Sequence, residues 1–410
     1  MSGRSNGLGS HSVATNDHPI IVVGGGLGGA AVALALGRKG RRVRLLESAP
    51  ELGVIGYGIQ LGPNVFPMFD RLGVRDAVMQ VATVPSTVRM RDAFTGEDIT
   101  ELPTGKPSFI ARFKDPYIII HRVDLHMALL DACRQIPSIS LEPDMTVTGF
   151  EDHGDRVTVT IQDGRTIDGA AVIGADGLGS RIRAQLLNEG RPRLNGYVAH
   201  RTIVPMEALK ADVSRDDVVL WAGPGFHIVH YPLRHCALFN IVAVFRTSTY
   251  LEKGEIEKYR AELIHTYRDA HPGMKGLLTM MDLERRWAIS DRDPIRNWSR
   301  GRATLLGDAA HPTLQSYAQG ACMAIEDAVY LGELVDLAGD DFAAAFQRYQ
   351  AARCVRTARL QLESRSLWEI YHAEDLAREA LWQELSERSD EDVYQCLAWL
   401  YDGVSLPWAS

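Results

Sequence analysis

The chain has 410 residues, 46% of them hydrophobic and 23% charged, which provides for a large apolar core and two or three domain-sized units. Its 44 basic and 52 acidic residues leave a net charge of -8, which argues against a dominating attraction to nucleic acid or anionic lipid. The odd set of five cysteines shows no CxxC or metal-ligand spacing, which argues against a disulfide framework or a zinc site and for a reducing, cytoplasmic compartment.

Residues 1–17 are rich in Ser, Gly, Asn and His without periodicity and read as a disordered tail. The uncharged run 19–37 is the one stretch resembling a membrane span, but five of its first eleven residues are glycine. It divides instead into an apolar strand at 19–23, a glycine turn, and a helix built from the Ala- and Leu-rich residues 30–36. A strand at 42–46 follows and ends in Glu47, so the first thirty residues of the fold form a β-turn-α-β unit with two parallel strands. Alternating apolar residues between Met145 and Ile167 predict an antiparallel hairpin, and 170–174 a buried strand returning to the first sheet. Segments 218–221, 227–231 and 238–245, separated by Pro and Gly turns, predict a mostly antiparallel domain over 197–284. A last buried strand at 302–306 precedes helical spacing that runs from Gly320 onward. The expected class is α/β: a Rossmann-like domain (18–196 and 285–340, with insertions near 80–120) interleaved with the antiparallel domain, then a C-terminal helical segment over 341–410. Apolar residues at helical spacing there, Trp368, Ile370, Tyr371, Leu376 and Leu381 among them, have either the core or a partner subunit to pack on.

Three motifs carry chemistry. In Gly24-x-Gly26-x-x-Gly29 the first two glycines let backbone amides approach a pyrophosphate, and the third permits close packing of the helix, whose N-terminus favours an anion. Glu47, eighteen residues after Gly29, is placed to accept ribose hydroxyls, so this unit reads as nucleotide-binding rather than as a merely tight turn. Asp176-Gly177 follows a buried strand; alone it signals only a turn. Gly307-Asp308-Ala309-Ala310-His311-Pro312 also follows a buried strand and leads to Gly320-Ala321 at a helix start, where amides can face a ring oxygen. Taken singly, it also reads as a structural strand-to-helix loop. In a strand, His227 and Tyr231 lie four apart and share a face, which suits either a phenolic ligand or a half-buried strand with polar tips.

In this order the three motifs resemble the class A flavoprotein monooxygenases of the para-hydroxybenzoate hydroxylase fold, over residues 19–375. The resemblance implies bound FAD, NADH or NADPH as a transient co-substrate, O2, a small aromatic acid as substrate, and a homodimer without a membrane span. It implies that Gly24, Gly26, Leu27, Gly28, Gly29, Glu47 and Ser48 serve the ADP half of FAD, and Asp308 the ribityl and pyrophosphate region. Gly320 and Ala321 would lie by the isoalloxazine, Asp176-Gly177 would serve the flavin and the nicotinamide cofactor, and Arg122 matches an arginine that reaches the flavin. On sequence alone Arg122 reads equally as a surface partner of Asp124. Ser48 stands where many relatives carry a basic residue against adenine, which leaves that contact to Arg44 or Arg38 or unassigned.

Within the family, the segments 58–64, 196–201, 227–234, 291–295 and 311–315 are similar to those of 3-hydroxybenzoate 6-hydroxylases. The similarity implies hydroxylation of 3-hydroxybenzoate para to its phenol to give 2,5-dihydroxybenzoate, gentisate, by way of a C4a-hydroperoxyflavin. It assigns His227 and Tyr231 to the phenol and Gln315 to the polar substituents. Gln315 is also readable as a helix lead-in that bonds backbone. Salicylate, 6-hydroxynicotinate or a quinolone as substrate, and a non-catalytic flavin or nucleotide sensor, are the competing readings.

Overall fold

Ile20–Val23 is apolar and buried at all four positions, which requires cover on both faces and a neighbour on each side. It has both neighbours: Val43–Leu46 and Ala171–Gly174 flank it in parallel, and Ile139–Glu142 and Ala303–Leu305 extend the sheet. Ser299–Arg300 adds an antiparallel sixth strand at the edge. The expected return of the second and third motif strands to the first sheet is therefore present. Helices Leu27–Arg38, Arg122–Arg134 and Gly320–Ala338 contribute buried residues to the core around this sheet. The computed structural model describes residues 18–53, 56–249 and 256–404; the tail 1–17 lies outside them. Among the described residues no helix is long and apolar enough to cross a membrane.

The hairpin expected at 145–167 is a three-stranded antiparallel sheet, Val147–Asp152, Val157–Ile161 and Thr166–Gly169. The second large sheet has seven strands. Arg193–Pro205, Leu238–Arg246, Phe226–Leu233 and Val218–Gly223 pair antiparallel at its centre, and Val88–Asp92 joins in parallel with Asp98–Leu102 outside it. Trp287–Asp291 forms the other edge against Arg193–Pro205. This strand lies in the stretch assigned from sequence to the Rossmann-like domain. Its register, Val198 opposite Ala288, ties the chain to the antiparallel sheet before it returns to the parallel one.

Strand alternation sorts Phe226–Leu233 into two faces. Phe226 and Ile228 enter an apolar core with Tyr259, Tyr267 and Leu277 from the helices behind the sheet. His227, Val229 and Tyr231 face a cavity between the two large sheets. Gly58–Leu61 and Ile118–His121 pair as a separate antiparallel ribbon, so that Gln60 borders the cavity and Arg122 starts the helix beside it. The C-terminal chain forms Phe342–Tyr371, Asp375–Ser386 and Asp390–Tyr401. Trp368 is buried, whereas Leu376 is 75% exposed, so only part of the expected apolar spacing is used within one chain.

Burial also sets the acid limit of the fold. Desolvation pushes His230 down to about 3 and His372 down to about 4, and lowers His227 still more clearly from its usual value. These groups are neutral when folded and protonate when unfolded, so their contribution is complete above the ordinary histidine value and is lost as pH falls toward the folded one. Between about pH 6.5 and 4 each adds up to ~1.4 kcal/mol of destabilisation per pH unit. Urea midpoints measured from pH 7.5 to 5 are expected to fall steeply. A flat profile would contradict the burial of neutral histidines.

Candidate active site

A cavity of about 560 Å3 runs from the first glycine turn to the face of the antiparallel sheet. At one end it is lined by Gly26, Leu27 and Gly28, by Arg122, and by Asp308, Gly320 and Ala321. The turn is tight for a stated reason: Gly24 has φ +102°, and a Cβ there would stand 2.4 Å from the Ala175 carbonyl oxygen. A Cβ on Gly29 would meet the Gly24 carbonyl oxygen at 1.9 Å, so Gly29 serves the turn itself as much as helix packing. Neither helix start on the cavity is capped by a side chain: Gly26 precedes Leu27–Arg38 and Gln319 precedes Gly320–Ala338. Their first amides are thus available to an anion or a carbonyl oxygen. A Cβ on Gly26 or Gly320 would meet nothing closer than 3.8 Å, so these starts have room beside them.

Glu47 holds this end in shape. Its Oε2 accepts from the Gly25 amide at 2.6 Å, and its Oε1 accepts from Ser48 Oγ at 2.9 Å and the Ala49 amide at 2.8 Å. Oε2, which accepts a single bond, retains a lone pair for a ribose hydroxyl, whereas Oε1 already accepts two. Asp308 is exposed on the cavity wall, and desolvation by the protein around it raises its pKa against the opposing charges of His311 and Arg122. Arg122 is in turn lowered by burial and held up by Asp308. The reading of Arg122 as a partner of Asp124 is overturned, because Asp124 pairs with Arg234 through two hydrogen bonds of 2.7 and 2.8 Å. Arg44, considered for the adenine, is engaged by Glu142 at 2.6 and 2.7 Å.

Asp176 does not face the cavity, although Ala175 and Gly177 do. Its carboxylate accepts from Ser180 Oγ at 2.5 Å and from the Arg181 and Ile182 amides at 2.8 and 3.3 Å, at the start of helix Arg181–Leu187. Three residues separate Asp176 from Ser180, and both side chains bond backbone amides of the helix start, as short polar side chains do at N-termini.

The other end of the cavity is lined by His227, Tyr231, Gln315, Arg201 and Gln60. His227 is 1% and Tyr231 3% exposed. Desolvation raises the Tyr231 phenol further than Arg201 and Gln60 lower it, so it is un-ionised and serves as a donor. Tyr117 Oη donates to Gln60 Oε1 at 2.6 Å, which leaves the Gln60 NH2 to donate to the Tyr231 oxygen and frees the Tyr231 hydrogen. Arg201 donates to Gln315 Oε1 at 2.8 Å, so the Gln315 NH2 also remains for the cavity. No carboxylate among the described residues pairs with Arg201, whose pKa burial pushes down. Nδ1 of His227 lies 2.9 Å from Nε2 of His372, with Trp368 and Tyr371 edge-on to its ring. The three residues singled out from sequence therefore meet on one cavity. Arg201, Gln60, Tyr117 and His372 went unassigned because each acts through a partner distant in the chain.

The chain matches the FAD binding domain family over residues 17–360. It is 41% identical over 388 residues to the 3-hydroxybenzoate 6-hydroxylase of Polaromonas naphthalenivorans (strain CJ2), covering 94% of this chain and 96% of that protein. Identity to the 6-hydroxynicotinate 3-monooxygenase of Bordetella bronchiseptica is 34%, over 83% of this chain and 89% of the relative. The crystal structure of Klebsiella pneumoniae HpxO complexed with FAD and uric acid superposes with a TM-score of 0.82 at 30% identity, over 94% of this chain and 98% of that one. With its two uncapped helix starts on one cavity, the chain belongs to the FAD-binding-domain family and is a flavin-dependent aromatic hydroxylase of the class A type.

Proposed function

We propose that the chain hydroxylates 3-hydroxybenzoate para to its phenol, consuming NADH and O2 and releasing gentisate. The observation that carries this reading is the polarity of the substrate end: a neutral imidazole at His227, hydrogen-bond donors at Tyr231 and Gln315, and the guanidinium of Arg201 without a carboxylate partner. A phenolic acid fits that set. Its carboxylate takes the Gln315 amide and the cation, and its phenol meets the imidazole and the Tyr231 hydroxyl. The identity to 3-hydroxybenzoate 6-hydroxylase supports the choice among phenolic acids.

FAD, when bound, supplies the oxygen activation and the electron transfer from the nicotinamide. The chain's own residues bind, orient and dehydrate. The amides of Leu27 and Gly28 and the side chains of Arg122 and Asp308 hold the cofactor, and Gly320 and Ala321 present amides to it. Tyr231, Gln315 and Arg201 orient the substrate ring, while His227 takes the phenolic proton and so makes the para carbon electron-rich. Leu220, Val229, Val242 and Leu314 keep water from that ring.

Two substitutions test the two ends separately. Asp308→Ala is expected to weaken FAD by about 1–3 kcal/mol, roughly 5- to 150-fold, and to purify mostly colourless; full flavin content would contradict its role. Acid precipitation of wild type should release all the yellow chromophore, since the cofactor is held without a covalent bond. Gln315→Ala is expected to weaken 3-hydroxybenzoate by about 1–3 kcal/mol with flavin content unchanged. Unchanged affinity in a flavin perturbation titration would remove Gln315 from the site.

A further inference from the structure

His372 follows helix Phe342–Tyr371 and closes its C-terminus. Its Nδ1 lies 2.8 Å from the Trp368 carbonyl oxygen and its Nε2 2.9 Å from Nδ1 of His227. A carbonyl only accepts, and one in the last turn of a helix has no intrahelical donor, so His372 donates its Nδ1 hydrogen there. The Nε2 of a neutral His372 then carries a lone pair, and the contact between the rings is made by the Nδ1–H of His227. That leaves the second nitrogen of His227 without a hydrogen. The opposite tautomer, with hydrogen on Nε2, would donate to a phenol but would be unable to receive its proton.

The surroundings fix both rings. Tyr197 lies 4.7 Å and Trp368 4.8 Å from the His372 ring centroid, and Trp368 also stands edge-on to His227 at 5.3 Å. His372 is 6% exposed, and burial keeps both histidines neutral at neutral pH.

We propose that His372 is a positioning residue: by accepting from Nδ1 of His227, it holds the tautomer whose Nε2 receives the phenolic proton of the substrate. The inference rests on the phenol-directed reading of His227 given above. In this step the phenol O–H bond breaks, its electron pair stays on the oxygen, and an N–H bond forms at Nε2. The resulting imidazolium pairs with the phenolate and keeps its Nδ1–H bond to His372, so no net charge enters the cavity.

The amide oxygen of glutamine reaches the place of a histidine Nε2, whereas asparagine reaches only that of Nδ1. His372→Gln should therefore keep an acceptor for His227, and His372→Asn should lose it. The readout is the ionisation of bound 3-hydroxybenzoate in the oxidised holoenzyme without NADH, followed by ultraviolet difference spectra across pH. Wild type and His372→Gln are expected to lower the phenol pKa alike, while His372→Asn raises it again by about one pH unit, tenfold in the ionisation constant, with affinity for the un-ionised ligand within about threefold. Asparagine and glutamine variants that behave alike would overturn the role of His372. A wild type that binds the ligand without lowering its pKa would instead sink the reading of His227. Should neither variant retain flavin, 15N spectra of histidine-labelled wild type, assigned with His227→Ala, decide the matter. Hydrogen on Nδ1 of His227 supports the inference, and hydrogen on Nε2 overturns it.

Discussion

Arg353→Met is expected to cost the fold about 3–5 kcal/mol, because it strips one cation from a buried set of charges and leaves Asp327 without its guanidinium partner. Arg353, Glu326 and Asp327 are each fully buried. Nε of Arg353 donates to Asp327 Oδ1 at 2.6 Å, and its Nη1 lies 2.8 Å from Glu326 Oε2, a charge contact off the hydrogen-bond direction. Arg356 and Asn64 complete Glu326 at 2.8 Å each. Burial opposes the charge of Asp327, but His311 and Arg353 outweigh it and hold the carboxyl far below its usual range. The set reaches the active site through Asp327 Oδ2, which accepts from the Gly307 amide at 3.1 Å and from His311 Nε2 at 2.5 Å, on either side of Asp308. The variant should therefore lose flavin as well as stability. A denaturation midpoint within about 1 kcal/mol of wild type would contradict the assignment.

The second large effect is on chemistry. His227→Ala and Tyr231→Phe are expected to keep the flavin spectrum and substrate-stimulated NADH oxidation while gentisate formed per NADH falls sharply. Only the phenolate ring is electron-rich enough to accept oxygen, and a positioned base contributes roughly 10²–10⁴-fold to such a step. Oxygen that is not transferred leaves as H2O2. Tyr231→Phe removes the donor yet keeps the ring, which matters because a Cβ on Gly58 would stand 2.4 Å from Tyr231 Cε2 and the contact is tight. Gentisate yields per NADH equal to wild type in both variants would remove the pair from the reaction, while leaving the flavin hydroxylase assignment intact.

What could be read from the sequence was local or periodic. The Gly24 turn, the helix after it and Glu47 lie within one β-turn-α-β unit, so their spacing alone fixes their geometry. The shared face of His227 and Tyr231 follows from the two-residue period of a strand. Contacts between distant segments were not legible. His372 meets His227 across 145 residues, and Arg201 meets Gln315 across 114. Such pairs are created by the topology, which sets the end of helix Phe342–Tyr371 and the turn Gln315–Tyr317 beside the antiparallel sheet. Asp124, on helix Arg122–Arg134, finds Arg234, in the turn after strand Phe226–Leu233, across 110 residues instead of the neighbouring Arg122. Trp287–Asp291 belongs to the antiparallel sheet because Arg193–Pro205 still offers it a free edge, a fact that composition does not encode. The motif at Asp176 names the residue but not the direction of its carboxylate, which turns to Ser180 and the Arg181 and Ile182 amides.

The central claim is the position of the new hydroxyl. Purified holoenzyme given 3-hydroxybenzoate, NADH and 18O2 should yield one labelled product, separated by chromatography, whose label sits para to the original phenol oxygen, with close to one gentisate formed per NADH. A 2,3- or 3,4-dihydroxybenzoate, or NADH oxidation that yields H2O2 alone, would contradict it.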